Sequence, residues 1–190
     1  MTAEAFLVST GVVALGEMGD KTQLLALLLA ARYRKPVPII AGIFVATVLN
    51  HAAASALGAW LTHWVDPTWL RYGLGASFIA VALWMLVPDK ADDLKGSTRG
   101  HLGVFGLTVV AFFLAEMGDK TQIATIMLAA RYNDLVTVTA GTTLGMMAAN
   151  VPAVLLGDKV VKWVPIAWVH RVAAGVFAVI GVLLLLGMGS

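Results

Sequence analysis

The sequence predicts an all-α integral membrane protein whose six transmembrane helices form two inverted three-helix repeats. Three observations support this fold class. Of the 190 residues, 59% are hydrophobic and 13% are charged, the apolar stretches are long enough to cross a bilayer, and one seven-residue motif occurs twice. A chain this apolar is not a soluble domain of its size. Strands of a membrane barrel alternate apolar and polar residues, unlike these stretches, so helices are predicted.

Six apolar stretches of about 20 residues are the predicted spans, at residues 5–31, 37–60, 69–87, 102–130, 135–156 and 168–188. Polar or proline-containing segments separate them, and the longest of these divides the chain in half. The predicted organisation is therefore a first three-helix repeat at 1–87, a cytoplasmic linker at 88–101 and a second three-helix repeat at 102–190. The first stretch follows no basic leader and contains no small-residue cleavage pattern, so we expect it to remain in the mature protein.

The repeat is visible in the motif Glu-Met-Gly-Asp-Lys-Thr-Gln, which occupies residues 17–23 and recurs letter for letter at 116–122, an offset of 99 (116 − 17 = 99). In the third spans Arg71 matches Arg171 at an offset of 100 (171 − 71 = 100), so the second half contains one inserted residue. Because each repeat would cross the membrane three times, the second copy must enter from the opposite side. The two motifs are predicted to face each other near the midplane.

The basic residues predict the orientation, because cytoplasmic loops are enriched in Lys and Arg. Loops two and four contain Arg71 and Arg131. Loops one, three and five contain nine basic residues, namely Arg32, Arg34, Lys35, Lys90, Lys95, Arg99, Lys159, Lys162 and Arg171. This bias places both termini outside the cytoplasm.

The duplicated motif is the candidate functional site, since ionisable groups cost about 2.5–3.5 kcal/mol each in the centre of a membrane. On a continuous helix Asp20 lies about 60° from Glu17, and Lys21 lies about 40° from it on the other flank, so all three share one face. If this face meets its copy, four carboxylates and two ammonium groups leave a formal charge of −2, which matches one divalent cation. The candidate metal ligands are Glu17, Asp20, Glu116 and Asp119.

Other residues could complete such a site. Gly19 and Gly118 allow either a close helix approach or local unwinding that frees backbone carbonyls. Met18 and Met117 are expected to pack in the core, because each points about 100° away from its Glu on a continuous helix. Polar groups that could support the ligands, relay protons or only hydrogen-bond across helices are Lys21, Thr22, Gln23, Lys120, Thr121, Gln122, Asn50, His51 and Asn150.

Composition narrows the chemistry further. Carboxylate and carbonyl oxygens suit Ca²⁺, Mg²⁺ or Mn²⁺, and the chain has no Cys, which excludes disulfides, thiolate zinc sites and cysteine nucleophiles. The net charge of +2 is small and dispersed, so nucleic acid is not an expected partner. The expected partners are the lipid bilayer and the transported ions. We expect no cofactor, and the sequence does not indicate an oligomeric state.

With its two complete Glu-x-Gly-Asp-Lys/Arg-Thr/Ser motifs, at residues 17–22 and 116–121, the chain resembles the Gdt-type family of small Ca²⁺/Mn²⁺:H⁺ antiporters of bacteria, plastids and the Golgi. The resemblance covers nearly the whole chain, and the compact bacterial members look like manganese exporters of the MneA type. It implies a secondary-active exporter of the bacterial inner membrane that exchanges Mn²⁺, or Ca²⁺ as second choice, for protons by alternating access at the four-carboxylate site.

Three transport alternatives stay open: a Ca²⁺-selective antiporter, a Na⁺-coupled antiporter and a passive divalent cation channel. An enzyme is not expected. Intramembrane aspartyl proteases require Gly-x-Gly-Asp and a second Asp in a different context, whereas the second copy here has Ala115 where the first has Gly16.

Overall fold

A computed structural model of the chain describes residues 2–86, 103–156 and 166–187, and nearly all of them are helical. The all-α prediction is therefore confirmed. The predicted linker at 88–101 lies outside the described residues, as do Lys159 and Lys162. Eight helices occupy the described part of the chain: α1 (Thr2–Glu17), α2 (Lys21–Tyr33), α3 (Pro36–Leu61), α4 (Pro67–Met85), α5 (Val104–Glu116), α6 (Lys120–Tyr132), α7 (Leu135–Leu156) and α8 (Ile166–Leu185).

Three of the described helices are long and apolar enough to cross a membrane: α3, α7 and residues 168–185 of α8. They correspond to the second, fifth and sixth predicted spans, and the 26 residues of α3 extend about 39 Å. The first and fourth predicted spans are not single continuous helices. Each is divided at its motif, the first into α1 and α2 and the fourth into α5 and α6. The third predicted span corresponds to α4, and its crossing of the membrane stays a prediction.

Helix ends from both halves of the sequence meet at one end of the helix assembly. The Tyr132 hydroxyl at the end of α6 donates to Glu4 Oε1 in the first turn of α1, at 3.3 Å. The Thr62 hydroxyl oxygen after α3 lies 3.5 Å from Asn133 Oδ1 before α7. The start of α1, the connections that follow α3 and α6, and the start of α7 therefore lie on the same side.

Close helix crossings join the two sequence halves reciprocally. A Cβ at Gly42 of α3 would lie 3.0 Å from the Phe105 carbonyl oxygen of α5, and one at Gly141 of α7 would lie 2.7 Å from the Phe6 carbonyl oxygen of α1. Both the glycines and their partners are related by the offset of 99 (141 − 42 and 105 − 6). Each half thus packs its long helix against the first helix of the other half.

The apolar core also mixes the two halves. One cluster is formed mainly by α1, α4, α6 and α8 around Phe78 and Phe177, whose ring centroids are 5.8 Å apart. A second cluster joins α2, α3, α5 and α7 around Ile43 and Phe112, both fully buried. Since both clusters draw helices from both halves, the two motifs are brought together by the packing.

Candidate functional site

Both copies of the motif lie where a helix is interrupted. The first break separates Glu17, the last residue of α1, from Lys21, the first residue of α2, and the second break separates α5 from α6 in the same way. Gly19 has φ 82° and Gly118 has φ 74°, a left-handed backbone that residues with a Cβ rarely adopt. Of the two roles expected for these glycines, the structure shows local unwinding. The assumption of one continuous helical face for Glu17, Asp20 and Lys21 is therefore wrong.

A glutamine side chain closes each break. The Gly19 N–H donates to Gln23 Oε1 at 2.9 Å, and the Gly118 N–H donates to Gln122 Oε1 at 2.7 Å. Because the helix is interrupted here, these backbone donors need a partner from outside the regular helical pattern. The last residue of each motif supplies that partner.

The same glutamines tie each break to the long helix of the other sequence half. Gln23 Nε2 donates to the Ala149 carbonyl of α7 at 2.9 Å. Gln122 Nε2 donates to Asn50 Oδ1 of α3, and Asn50 Nδ2 donates to the Phe113 carbonyl at 3.2 Å. Positions 50 and 149 are equivalent under the offset of 99 (149 − 50 = 99). The two breaks are thus anchored at matching places, one by a backbone group and one by a side chain.

Three of the four predicted ligands converge. Glu17, Asp20 and Asp119 each place one carboxylate oxygen within 4.8 Å of the others, and all three residues are buried. Glu116 is also fully buried, but it is not part of this cluster. The first motif therefore contributes both of its acids and the second contributes one.

The lysines pair across the motifs. Lys21 Nζ lies 2.8 Å from Asp119 Oδ1, and Lys120 Nζ lies 3.6 Å from Asp20 Oδ1. Each ammonium group therefore faces the aspartate of the other motif. The two lysines differ in environment, because 26% of the Lys21 side chain is exposed and only 3% of the Lys120 side chain.

Each glutamate contacts a threonine hydroxyl of its own motif, and Glu116 also lies near a histidine. Glu17 Oε2 accepts a hydrogen bond from the Thr22 hydroxyl. Glu116 Oε2 accepts one from the Thr121 hydroxyl at 3.4 Å, and it lies 3.9 Å from His51 Nε2. The hydroxyls of both motifs thus contact the glutamates of their own motif.

Asn150 is the counterpart of His51 under the offset of 99 (150 − 51 = 99). Its Nδ2 donates to the carbonyl of Met146 at 3.1 Å and lies 3.0 Å from the Met146 sulfur. The sequence places three polar residues on the second and fifth spans. In the structure His51 lies beside the candidate ligand Glu116, and Asn50 contacts Gln122 of the second break. Asn150 instead contacts Met146 of its own helix.

Two features of the site were not expected from the sequence. Met117 is 57% exposed, so its predicted core packing is wrong. His170 of α8 lies at the first break, where its Nε2 is 3.0 Å from the Met18 carbonyl oxygen. A single His beside Arg171 in an apolar stretch carries no pattern that would have indicated this contact.

Known proteins resemble the chain along most of its length. Residues 5–93 and 104–190 match a family model described as GDT1, divalent cation/proton antiporter. A Vibrio cholerae protein, provisionally named as a manganese exporter, is 51% identical over 172 residues, or 90% of this chain and 84% of that protein. GDT1-like protein sll0615 of Synechocystis is 30% identical over 179 residues, or 82% of this chain and 84% of that protein. No solved structure shows a significant match to the chain.

Proposed function

We propose that this chain, which belongs to the GDT1 family of divalent cation/proton antiporters, exports Mn²⁺ from the cytosol in exchange for protons. Its family transports cations, so the chain is a membrane transporter and not an enzyme.

The observation that carries the proposal is the convergence of Glu17, Asp20 and Asp119 within 4.8 Å. Ligand oxygens lie about 2.3–2.6 Å from Ca²⁺ and closer to smaller ions, so two oxygens on one ion are at most about 5 Å apart. The three carboxylates thus lie close enough to share a cation. We include Glu116 as the fourth ligand, since its buried carboxylate comes from the matching position of the second motif.

The preference for Mn²⁺ is supported by a relative. The carboxylate oxygens of the cluster suit Mn²⁺ and Ca²⁺ alike. The Vibrio cholerae relative is provisionally named as a manganese exporter. Ca²⁺ is the second choice.

We propose six membrane crossings in two inverted repeats, with residues 1–87 and 102–190 as the repeats and both termini outside the cytoplasm of a bacterial inner membrane. The reciprocal crossings at Gly42 and Gly141 support a two-fold relation between the halves. The contact between Tyr132 and Glu4 is consistent with six crossings, which return the chain to its starting side. In such repeats, broken helices at the midplane form the ion site.

The test is transport by the purified protein in liposomes, with Mn²⁺ and Ca²⁺ compared at equal concentration. We expect Mn²⁺ transport that depends on a pH gradient. Glu17→Gln, Asp20→Asn, Glu116→Gln and Asp119→Asn should each abolish it, while Glu4→Gln, on an exposed residue of the same helix as Glu17, should retain it. Near-normal transport by more than one of the four neutralised variants, at equal abundance in the liposomes, would reject the shared site.

A further inference from the structure

We propose that His170 is a positioning residue that holds the first break in the geometry that brings Glu17 and Asp20 together. The inference rests on the proposed cation site and adds to it a residue outside the motifs. Because a carbonyl oxygen only accepts hydrogen bonds, the contact at 3.0 Å means that His170 Nε2–H donates to the Met18 carbonyl.

The contact completes a clamp on a single peptide unit. The Met18 carbonyl and the Gly19 N–H belong to the same planar peptide group and point in opposite directions when that group is trans. No cis peptide occurs in the described chain. His170 of α8 holds the carbonyl side, and Gln23 of α2 holds the N–H side at 2.9 Å. The peptide that leads into Gly19 is therefore fixed from two different helices.

At the second break, the corresponding peptide leads into Gly118 and is held on its N–H side. The Gly118 N–H is held by Gln122 at 2.7 Å. The position equivalent to His170 is Leu70, because the third helices match at an offset of 100 (170 − 70 = 100), as Gly75 and Gly175 also do. A leucine side chain has no donor for the Met117 carbonyl.

The two breaks also differ in how many acidic residues they contribute to the carboxylate cluster. The doubly held first break contributes Glu17 and Asp20 to the carboxylate cluster, whereas the second break contributes Asp119 alone. A fixed peptide plane between Glu17 and Asp20 limits how far the two acids can separate. Preorganised ligands bind more tightly, since less ordering is needed when the ion enters.

The first arm of the test measures Mn²⁺ transport in liposomes. His170→Leu, which places in α8 the residue found at the matching position of α4, should raise the apparent KM for Mn²⁺ about threefold to tenfold, as the loss of one hydrogen bond predicts. The maximal rate should change less than the KM. His170→Gln retains a donor and should restore most of the affinity. Leu70→Ala is the matched control and should leave the KM unchanged.

The second arm measures hydrogen exchange and does not depend on transport. In His170→Leu the backbone amides of residues 17–23 should exchange faster than in the natural protein, while those of residues 116–122 should not. Unchanged exchange and KM in His170→Leu would overturn the inference and leave the cation site intact. Equal loss of affinity in the Gln and Leu variants would overturn it in favour of a packing role. If the natural protein moved no cation, faster exchange at 17–23 would still support the clamp, and the proposed function alone would fail.

Discussion

Lys21 pairs with an aspartate of the other motif, with 2.8 Å between its Nζ and Asp119 Oδ1. Lys120 and Asp20 are related in the same way at 3.6 Å. The two ammonium groups therefore lie beside two of the proposed metal ligands. Because Lys21 comes from the first half and Asp119 from the second, the pair also joins the halves at the site.

The first prediction concerns the stability of this cross-pair. Lys21→Met leaves Asp119, which is 3% exposed, without its ammonium partner, and should lower the free energy of unfolding by about 1–3 kcal/mol. This is below the 3–5 kcal/mol of a fully buried pair because Lys21 is partly exposed. Adding Asp119→Asn to Lys21→Met should recover most of the loss, since the buried carboxylate that lost its ammonium partner is then also neutral. Thermal unfolding in detergent measures both effects.

Lys35→Met, at an exposed position outside the site, is the control for charge removal and should leave stability unchanged. If the effects of Lys21→Met and Asp119→Asn were additive in the double variant, the two residues would not be energetically coupled, contrary to this prediction.

The second prediction uses two glycines that the duplication makes equivalent. A Cβ at Gly75 of α4 would lie 2.8 Å from Leu185 and 3.0 Å from the Gly181 carbonyl oxygen of α8, whereas a Cβ at Gly175 would meet nothing within 4 Å. Gly75→Ala should therefore destabilise the protein by about 1–3 kcal/mol through overpacking. Gly175→Ala should be neutral or slightly stabilising, because alanine favours a helix. Unfolding midpoints of the two variants provide the comparison, and equal midpoints would contradict the close crossing of α4 and α8.

The helical class and the candidate ligands could be predicted from the sequence because both depend on local patterns. Long apolar stretches predict helices, and two identical acidic motifs inside them single out the acidic residues, of which Glu17, Asp20 and Asp119 lie together in the structure. Unwinding at the motif glycines was one of two alternatives, since a Gly in an apolar stretch is compatible with a helix and with a break.

The contacts across the site could not be predicted, because they depend on how distant helices pack. The continuous-helix geometry placed Lys21 on the face of its own Glu17, whereas the break turns it towards Asp119. The contact of Gln23 with α7 and that of His170 with the first break join residues more than 120 positions apart. No periodicity within one stretch contains that information.

The third prediction concerns topology. Single cysteines at Glu4 and at the exposed His63 should react with an impermeant maleimide in intact cells, whereas a cysteine at Lys35 should react only after permeabilisation. The reasons are the basic residues of the first loop and the contacts that place the start of α1 and the end of α3 on one side. The chain has no natural Cys, so the labelling background is low. Reaction at His63 without reaction at Glu4 would contradict six crossings.

The last prediction is that export is driven by protons that bind where the cation binds. Four carboxylates and two lysines give the site a formal charge of −2, which one Mn²⁺ neutralises. After the metal leaves, about two protons restore neutrality and lower the cost of returning the site across the membrane. In liposomes loaded with Mn²⁺, acidifying the outer compartment should therefore accelerate Mn²⁺ efflux, and adding Mn²⁺ to the detergent-solubilised protein in weak buffer should release protons. Asp119→Asn removes one carboxylate from the cluster and should reduce the proton release. Efflux that does not depend on the pH gradient but depends on a Na⁺ gradient would reject proton coupling without contradicting the metal site. Efflux that needs neither gradient would identify a passive channel.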